Sequence, residues 1–150
     1  MRHPHIARPA QTDFRKPKAL GKDIKTDYDL LKAGNGYDNH YVISLKQPTE
    51  LGLNARITDP KSGRVLEVWS TEPGVQVYSG NFLEGKLPRD LGKGSTVYKF
   101  RSGFCLEPSR FPDSVNHSGF PTTEIKPGEW YSGKIVYKFS TDKSKPVAKK

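Results

Sequence analysis

Glycine and proline interrupt this chain so often that a long helix has nowhere to form. Fourteen Gly and twelve Pro are spread through 150 residues. Each proline removes a backbone donor, and each glycine weakens a helix or strand interior. Between these breaks lie short runs rich in β-branched and aromatic residues, which favour a pleated strand. Residues 41–45, 54–58, 64–71, 75–79, 96–106 and 132–140 are such runs. The Asp59-Pro60-Lys61-Ser62-Gly63 stretch supplies a proline with preset φ and a glycine free to take positive φ, so 54–58 and 64–71 are expected to form a hairpin. In the second arm Val65, Glu67 and Trp69 share one face and Leu66, Val68 and Ser70 the other. Apolar residues on both faces predict a central strand. Residues 96–106 read as one long strand interrupted at Gly103, a bulge or close-approach point. Pro108, Pro112, Pro121 and Pro127 predict loop over most of 107–129. In the last run Ile135, Tyr137 and Phe139 share a face.

The one helical signal is short. Ile24, Tyr28 and Leu31 recur at i, i+4 and i+7 within 24–32, and Ala33-Gly34-Asn35-Gly36 ends the pattern. Six or seven strands with almost no helix predict an all-β protein, an antiparallel β-sandwich. Hydrophobic residues make up 33% of the chain, which leaves a thin core. The expected organisation is a basic tail or strap over 1–22, a β-sandwich over 23–140 and a disordered basic tail over 141–150.

Charge narrows the function classes. The formal net charge is +9, a value that invites a nucleic-acid reading until it is mapped. Residues 1–22 carry +5, residues 141–150 carry +3, and residues 23–140 only +1. A nucleic-acid reader carries its basic patch on the folded surface, so neither nucleic acid nor membrane is an expected partner. No apolar run approaches the ~18 residues a membrane span requires. The first ten residues, MRHPHIARPA, lack the apolar core of a secretory signal. Cys105 is the sole cysteine, which rules out an internal disulfide framework and a cysteine zinc site. A reducing, cytoplasmic location is the expectation.

Three residues stand out chemically. Glu107 closes the apolar stretch Gly103-Phe104-Cys105-Leu106 ahead of Pro108. If that carboxylate is buried, desolvation raises its pKa and makes it a usable general base or acid; if it faces solvent, it is an ordinary strand-end glutamate. Asp38 stands where the glycine loop Gly34-Asn35-Gly36 enters a strand, a common place for a ligand-binding side chain and equally for a turn aspartate. Gln76 is a polar group inside an apolar strand, able to hydrogen-bond a sugar hydroxyl or to face water. His40 and His117 are assigned to loops, and His3 and His5 to the tail. No histidine pair has the HExxH spacing of a metal site, so no metal is expected. The glycine motifs of dinucleotide and triphosphate sites are absent, as is a GxSxG nucleophile elbow.

Several stretches taken in order resemble the C-terminal part of the aldose 1-epimerase (galactose mutarotase) family. They are Asp13-Phe14-Arg15-Lys16-Pro17 with Leu20-Gly21, GYDNHYV at 36–42, ARITDPKSGRVLEVWSTEPGVQVYSGNFLEG at 55–85, and GFCLEPSRFPDSVNHSGFP at 103–121. Lys126-Pro127-Gly128-Glu129 and Tyr137-Lys138-Phe139-Ser140 close the series. The resemblance implies a large all-β supersandwich and an isomerase that interconverts the α and β anomers of free aldoses such as galactose and glucose, without a cofactor. It also implies roles: Glu107 as general base at the anomeric hydroxyl, Asp38 and Gln76 as sugar-binding groups. The family is more than twice as long, and its catalytic acid is a histidine in an Asn-His-Ser-Tyr-Phe-Asn-type motif that MRHPHIARPAQ does not resemble. A second chain supplying the remainder is therefore one expected partner. The alternative expectation is a non-catalytic carbohydrate-binding β module.

Overall fold

A computed structural model describes residues 10–47 and 49–142. Its regular elements are one short helix, α1 (Asp29–Ala33), and six strands: β1 (Asp38–Val42), β2 (Gly52–Thr58), β3 (Arg64–Ser70), β4 (Gly74–Tyr78), β5 (Cys105–Ser109) and β6 (Ile135–Thr141). They form two three-stranded sheets, ordered β1-β4-β5 and β2-β3-β6. The fold is all-β, as expected. The chain divides into two compact units, 1–39 with 77–105 and 40–76 with 106–150.

In the first unit, Ile24, Leu31 and Tyr37 form the buried core, with Phe14, Leu20, Tyr28 and Val77 packed against it. The helical periodicity found the right core residues but the wrong backbone. Residues 24–28 are turns, with the Thr26 amide donating to the Asp23 carbonyl and the Tyr28 amide to the Thr26 carbonyl. The helix begins only at Asp29, after an extended Tyr28, and closes at Gly34. Asn35 (φ 49°) and Gly36 (φ 136°) then turn the chain through the left-handed region into β1. The segment 10–22 is tied down where it is described. Lys18 Nζ donates to the Ala10 and Gln11 carbonyls and to Asp23 at 2.7–2.8 Å. Phe14 meets the Tyr37 ring edge-on at 5.1 Å. Residues 1–9 and 143–150 of the expected tails lie outside the described residues.

Polar groups close the rest of this unit. Ser79 Oγ accepts from the Tyr37 amide at 3.0 Å and donates to Asn81 Oδ1 at 2.6 Å. Asn81 Nδ2 in turn serves the Gly34 and Tyr37 carbonyls. Fully buried Asp90 accepts, on one oxygen, the amides of Glu84, Lys86 and Leu87 at 3.1–3.2 Å. The long strand expected over 96–106 does not form. Only a Leu91–Val97 bridge and the start of β5 are paired. Arg101 takes a left-handed conformation (φ 56°), and the Ser102 amide turns back to the Lys99 carbonyl. The close approach expected at Gly103 is not found there, where a Cβ would meet nothing within 4 Å; the crowded glycine is Gly80, whose Cβ would lie 2.7 Å from the Gly103 carbonyl oxygen. Pro108, expected in a loop, belongs to β5, which is an end strand of its sheet and so tolerates a missing donor.

The second unit contains the β2-β3-β6 sheet. The hairpin at 59–63 is as expected: the amides of Lys61 and Ser62 bond the Asp59 carboxylate, and Gly63 has φ 70°. β3 is the central strand, antiparallel to both neighbours, with a bulge in β2 between Leu53 and Ala55. Register and alternation give this sheet two unlike faces. On one, Arg56, Glu67 and Lys138 stand in a row, with the Glu67 carboxylate 3.5 Å from Arg56 and 3.4 Å from Lys138. Trp69 Nε1 donates to the same carboxylate at 3.2 Å. That bond, with the two cations, holds Glu67 below the usual carboxylate pKa against the opposing effect of desolvation. The other face carries Ile57, Leu66 and Phe139 in one row and Ala55, Val68 and Tyr137 in the next.

Candidate functional site

Asp38 is the first residue of β1 and is exposed. Fully buried Tyr37 fixes the backbone just before it, and a Cβ on Gly34 would come within 3.0 Å of the Asp38 Cβ. Asp38 belongs to the first unit, whereas Gln76 and Glu107 belong to the second.

Gln76 is half-buried in β4. Beside it lies His40, which sequence reasoning placed in a loop but which is the middle residue of β1. A Cβ on Gly74 would collide with His40 Nε2, so the imidazole rests directly over the glycine backbone. Phe111 closes on the ring edge-to-face at 5.7 Å. Burial lowers the His40 pKa, and the neighbouring Gln76 amide opposes that shift only in part. Neither ring nitrogen reaches a partner at full hydrogen-bond geometry, although both are buried. The signal for His40 was present in the sequence: Asp38 and His40 alternate, and so share one face of a strand.

Glu107 is the middle residue of β5, the strand next to β4 in the sheet. Leu106 before it is buried, but Glu107 itself is exposed. Of the two sequence readings the structure gives the solvent-facing one, so this part of the chain does not supply the apolar cover that would desolvate the carboxylate. The backbone that follows is well anchored. Arg110 approaches the buried carboxylate of Glu72 at 3.4 Å, and the Tyr131 hydroxyl donates to the same carboxylate. That bond is the main cause of a raised Tyr131 pKa. Glu72 thus pins the loop carrying Phe111 to the turn that leads into Gly74 and Gln76.

His117 stands apart from these residues. It lies 3.3 Å from Asp113 and packs on Phe120. A shallow cavity of about 460 Å³ beside it is lined by Ser114, Thr122 and Glu124 among others, and by none of Asp38, Gln76 and Glu107. Among the described residues, no cluster of three His, Cys, Asp or Glu side chains is arranged to hold a metal ion. None of the described helices is long and apolar enough to cross a membrane.

Comparison with known proteins places these elements. The sequence model of the family described as Aldose 1-epimerase matches residues 3–138, a span containing Asp38, Gln76 and Glu107. The chain is 46% identical over 128 residues to the galactose mutarotase of Homo sapiens, a match covering 85% of this chain and 34% of that protein. It is 33% identical over 129 residues to the aldose 1-epimerase of Escherichia coli K12, covering 85% and 36% respectively. A crystal structure of a GalM/aldose epimerase homologue from C. elegans superposes with a TM-score of 0.71 at 31% identity, over 87% of this chain and 37% of that one. The chain therefore spans about a third of the length of these relatives. Matched across most of its length in both sequence and fold, it belongs to the aldose 1-epimerase family.

Proposed function

We propose that this chain carries the base and part of the sugar-binding surface of an aldose 1-epimerase, acting on free aldoses such as galactose and glucose in the cytoplasm. The observation that carries the proposal is the family match through 3–138, which contains all three candidate residues. The Gln76–His40 pairing on β4 and β1, with Glu107 on the adjoining β5, supports it. Glu107 takes the proton of the anomeric hydroxyl while an acid protonates the ring oxygen. The ring opens, the carbonyl end rotates, and reversal of both transfers closes the other anomer. Asp38 and Gln76 hold sugar hydroxyls. Proton transfer alone completes the cycle, so the scheme uses no cofactor. The acid is assigned to the family segment that this chain does not match, whether joined to it or on a second chain. Exposed Glu107 needs cover, from the sugar or from that segment, before it is desolvated.

A second reading, a non-catalytic sugar-binding module, is favoured by that same exposure. Polarimetry of α-glucose and α-galactose separates the two. Glu107→Gln is expected to lower catalysed mutarotation by about 10²–10⁴-fold, the usual contribution of a general base. Rates equal to buffer for both the parent chain and the variant, together with a saturable change in tryptophan fluorescence on adding sugar, establish the binding module instead.

A further inference from the structure

β1 and β4 are neighbours in their sheet, and their backbone bonds fix which residues face each other. The Ile43 amide donates to the Pro73 carbonyl at 2.9 Å, and the Ser79 amide to the Tyr37 carbonyl at 2.9 Å. The strands therefore run antiparallel, and counting inward from either bond sets His40 directly opposite Gln76. That position falls between the hydrogen-bonded pairs, where facing side chains stand closest. Gly74 is the diagonal neighbour of His40 across the same strands. With no side chain there, the imidazole lies down over the backbone, where a Cβ would strike it. Phe111 meets the ring edge-to-face. His40, Gly74, Gln76 and Phe111 all belong to the second unit.

The ring held in this way has polar work left to do. Both of its nitrogens are buried without a partner at full hydrogen-bond geometry, and buried polar atoms are ordinarily bonded. Gln76 supplies the polar side chain opposite. Its amide acts to raise the pKa of the ring, the direction given by an acceptor oxygen facing a ring N–H. We infer that His40 is a positioning residue for Gln76: a ring N–H holds the amide oxygen, which leaves the Gln76 NH2 group to donate to a sugar hydroxyl oxygen. The sugar half of this inference rests on the reading of Gln76 as a sugar-binding group. The positioning half does not.

The test uses the full chain and two variants of His40. His40→Phe keeps a planar ring over Gly74 but has no N–H, whereas His40→Gln restores a donor. NMR relaxation of the Gln76 side-chain amide is expected to give an order parameter near about 0.85 in the parent and below about 0.6 in His40→Phe. His40→Gln should return it towards the parent value. Unchanged order parameters for the backbone of β1 and β4 show that the strands remain paired. Galactose titrated against the β4 amide shifts is expected to bind about two- to tenfold more weakly to His40→Phe, the worth of one hydrogen bond. In a Gln76→Ala background His40→Phe should cost nothing further, because the two act as a unit. A Gln76 amide equally ordered in the parent and in His40→Phe overturns the inference. So does a loss of galactose binding on His40→Phe that persists undiminished in Gln76→Ala. An amide released by His40→Phe in a chain that galactose does not shift upholds the positioning and overturns the sugar-binding reading of Gln76.

Discussion

Tyr37 and Phe139 are both aromatic residues in or beside a strand, yet their surroundings have nothing in common. Tyr37 is completely buried, its ring against Phe14 and its hydroxyl bonded to the Gln11 carbonyl at 2.9 Å. Phe139 stands on the bare face of β6. The first unit compensates for a thin apolar core with buried polar knots around Ser79, Asn81 and Asp90. The second leaves every residue of β6 exposed, its aromatic ones included. The contrast teaches that residue type does not decide burial: Tyr37 is enclosed because Phe14 and the Gln11 carbonyl meet it, and Phe139 stands on an end strand.

The sharpest way to break that comparison is to truncate both aromatics. Tyr37→Ala is expected to destabilise the protein by about 3–5 kcal/mol in urea unfolding, as for other buried aromatics. If it costs under about 1 kcal/mol, the first unit is not held as described. A smaller effect is expected from Gly74→Ala, whose methyl group would collide with His40 Nε2. Overpacking of this kind costs about 1–3 kcal/mol. Displacing the ring into water should also bring its titration, followed by NMR, back up towards the ordinary histidine value.

The pH dependence tests the same ring without altering the fold. Burial lowers the His40 pKa in the folded state, so the unfolded chain binds its proton first as acid is added. The stabilisation is complete above about pH 6.5, the unfolded value, and is lost as pH falls from there through the folded pKa. His40→Gln should flatten the stability profile across that interval, and a profile that stays sloped assigns the effect to another group. The smallest expected effect is that of Phe139→Ala on the chain alone. It should fall within about ±0.5 kcal/mol, as for other exposed positions. A larger loss would mean that β6 is already covered by residues of its own chain.

How far the sequence reached can be judged at particular residues. The 59–63 turn was legible because Asp59, Pro60 and Gly63 act locally, through capping and backbone angle, without reference to the rest of the chain. The central position of β3 was legible because its alternation marks both faces. Two readings failed where geometry overrode pattern. The 96–106 run has the composition of a strand, but Arg101 occupies a conformation that residue type does not announce. Ile24, Tyr28 and Leu31 converge on a core through turns that happen to share helical spacing. At the site, residue type nominated Asp38, Gln76 and Glu107, but exposure of Glu107 depends on what covers the strand. His40 alternates with Asp38 along β1, which the sequence does show, but the burial that Gly74 and Phe111 give its ring comes from residues distant in sequence.

The Asp90 carboxylate has one more consequence. Burial acts to raise its pKa, but the bonds from the Leu87, Lys86 and Glu84 amides, helped by Arg89, outweigh it and hold the group ionised well into acid. All three amides converge on one oxygen. Their deuterium uptake should therefore occur as a single kinetic class rather than as three independent rates. Titrating one proton onto that oxygen would turn residues 84–90 from a fixed ring into a slack tether.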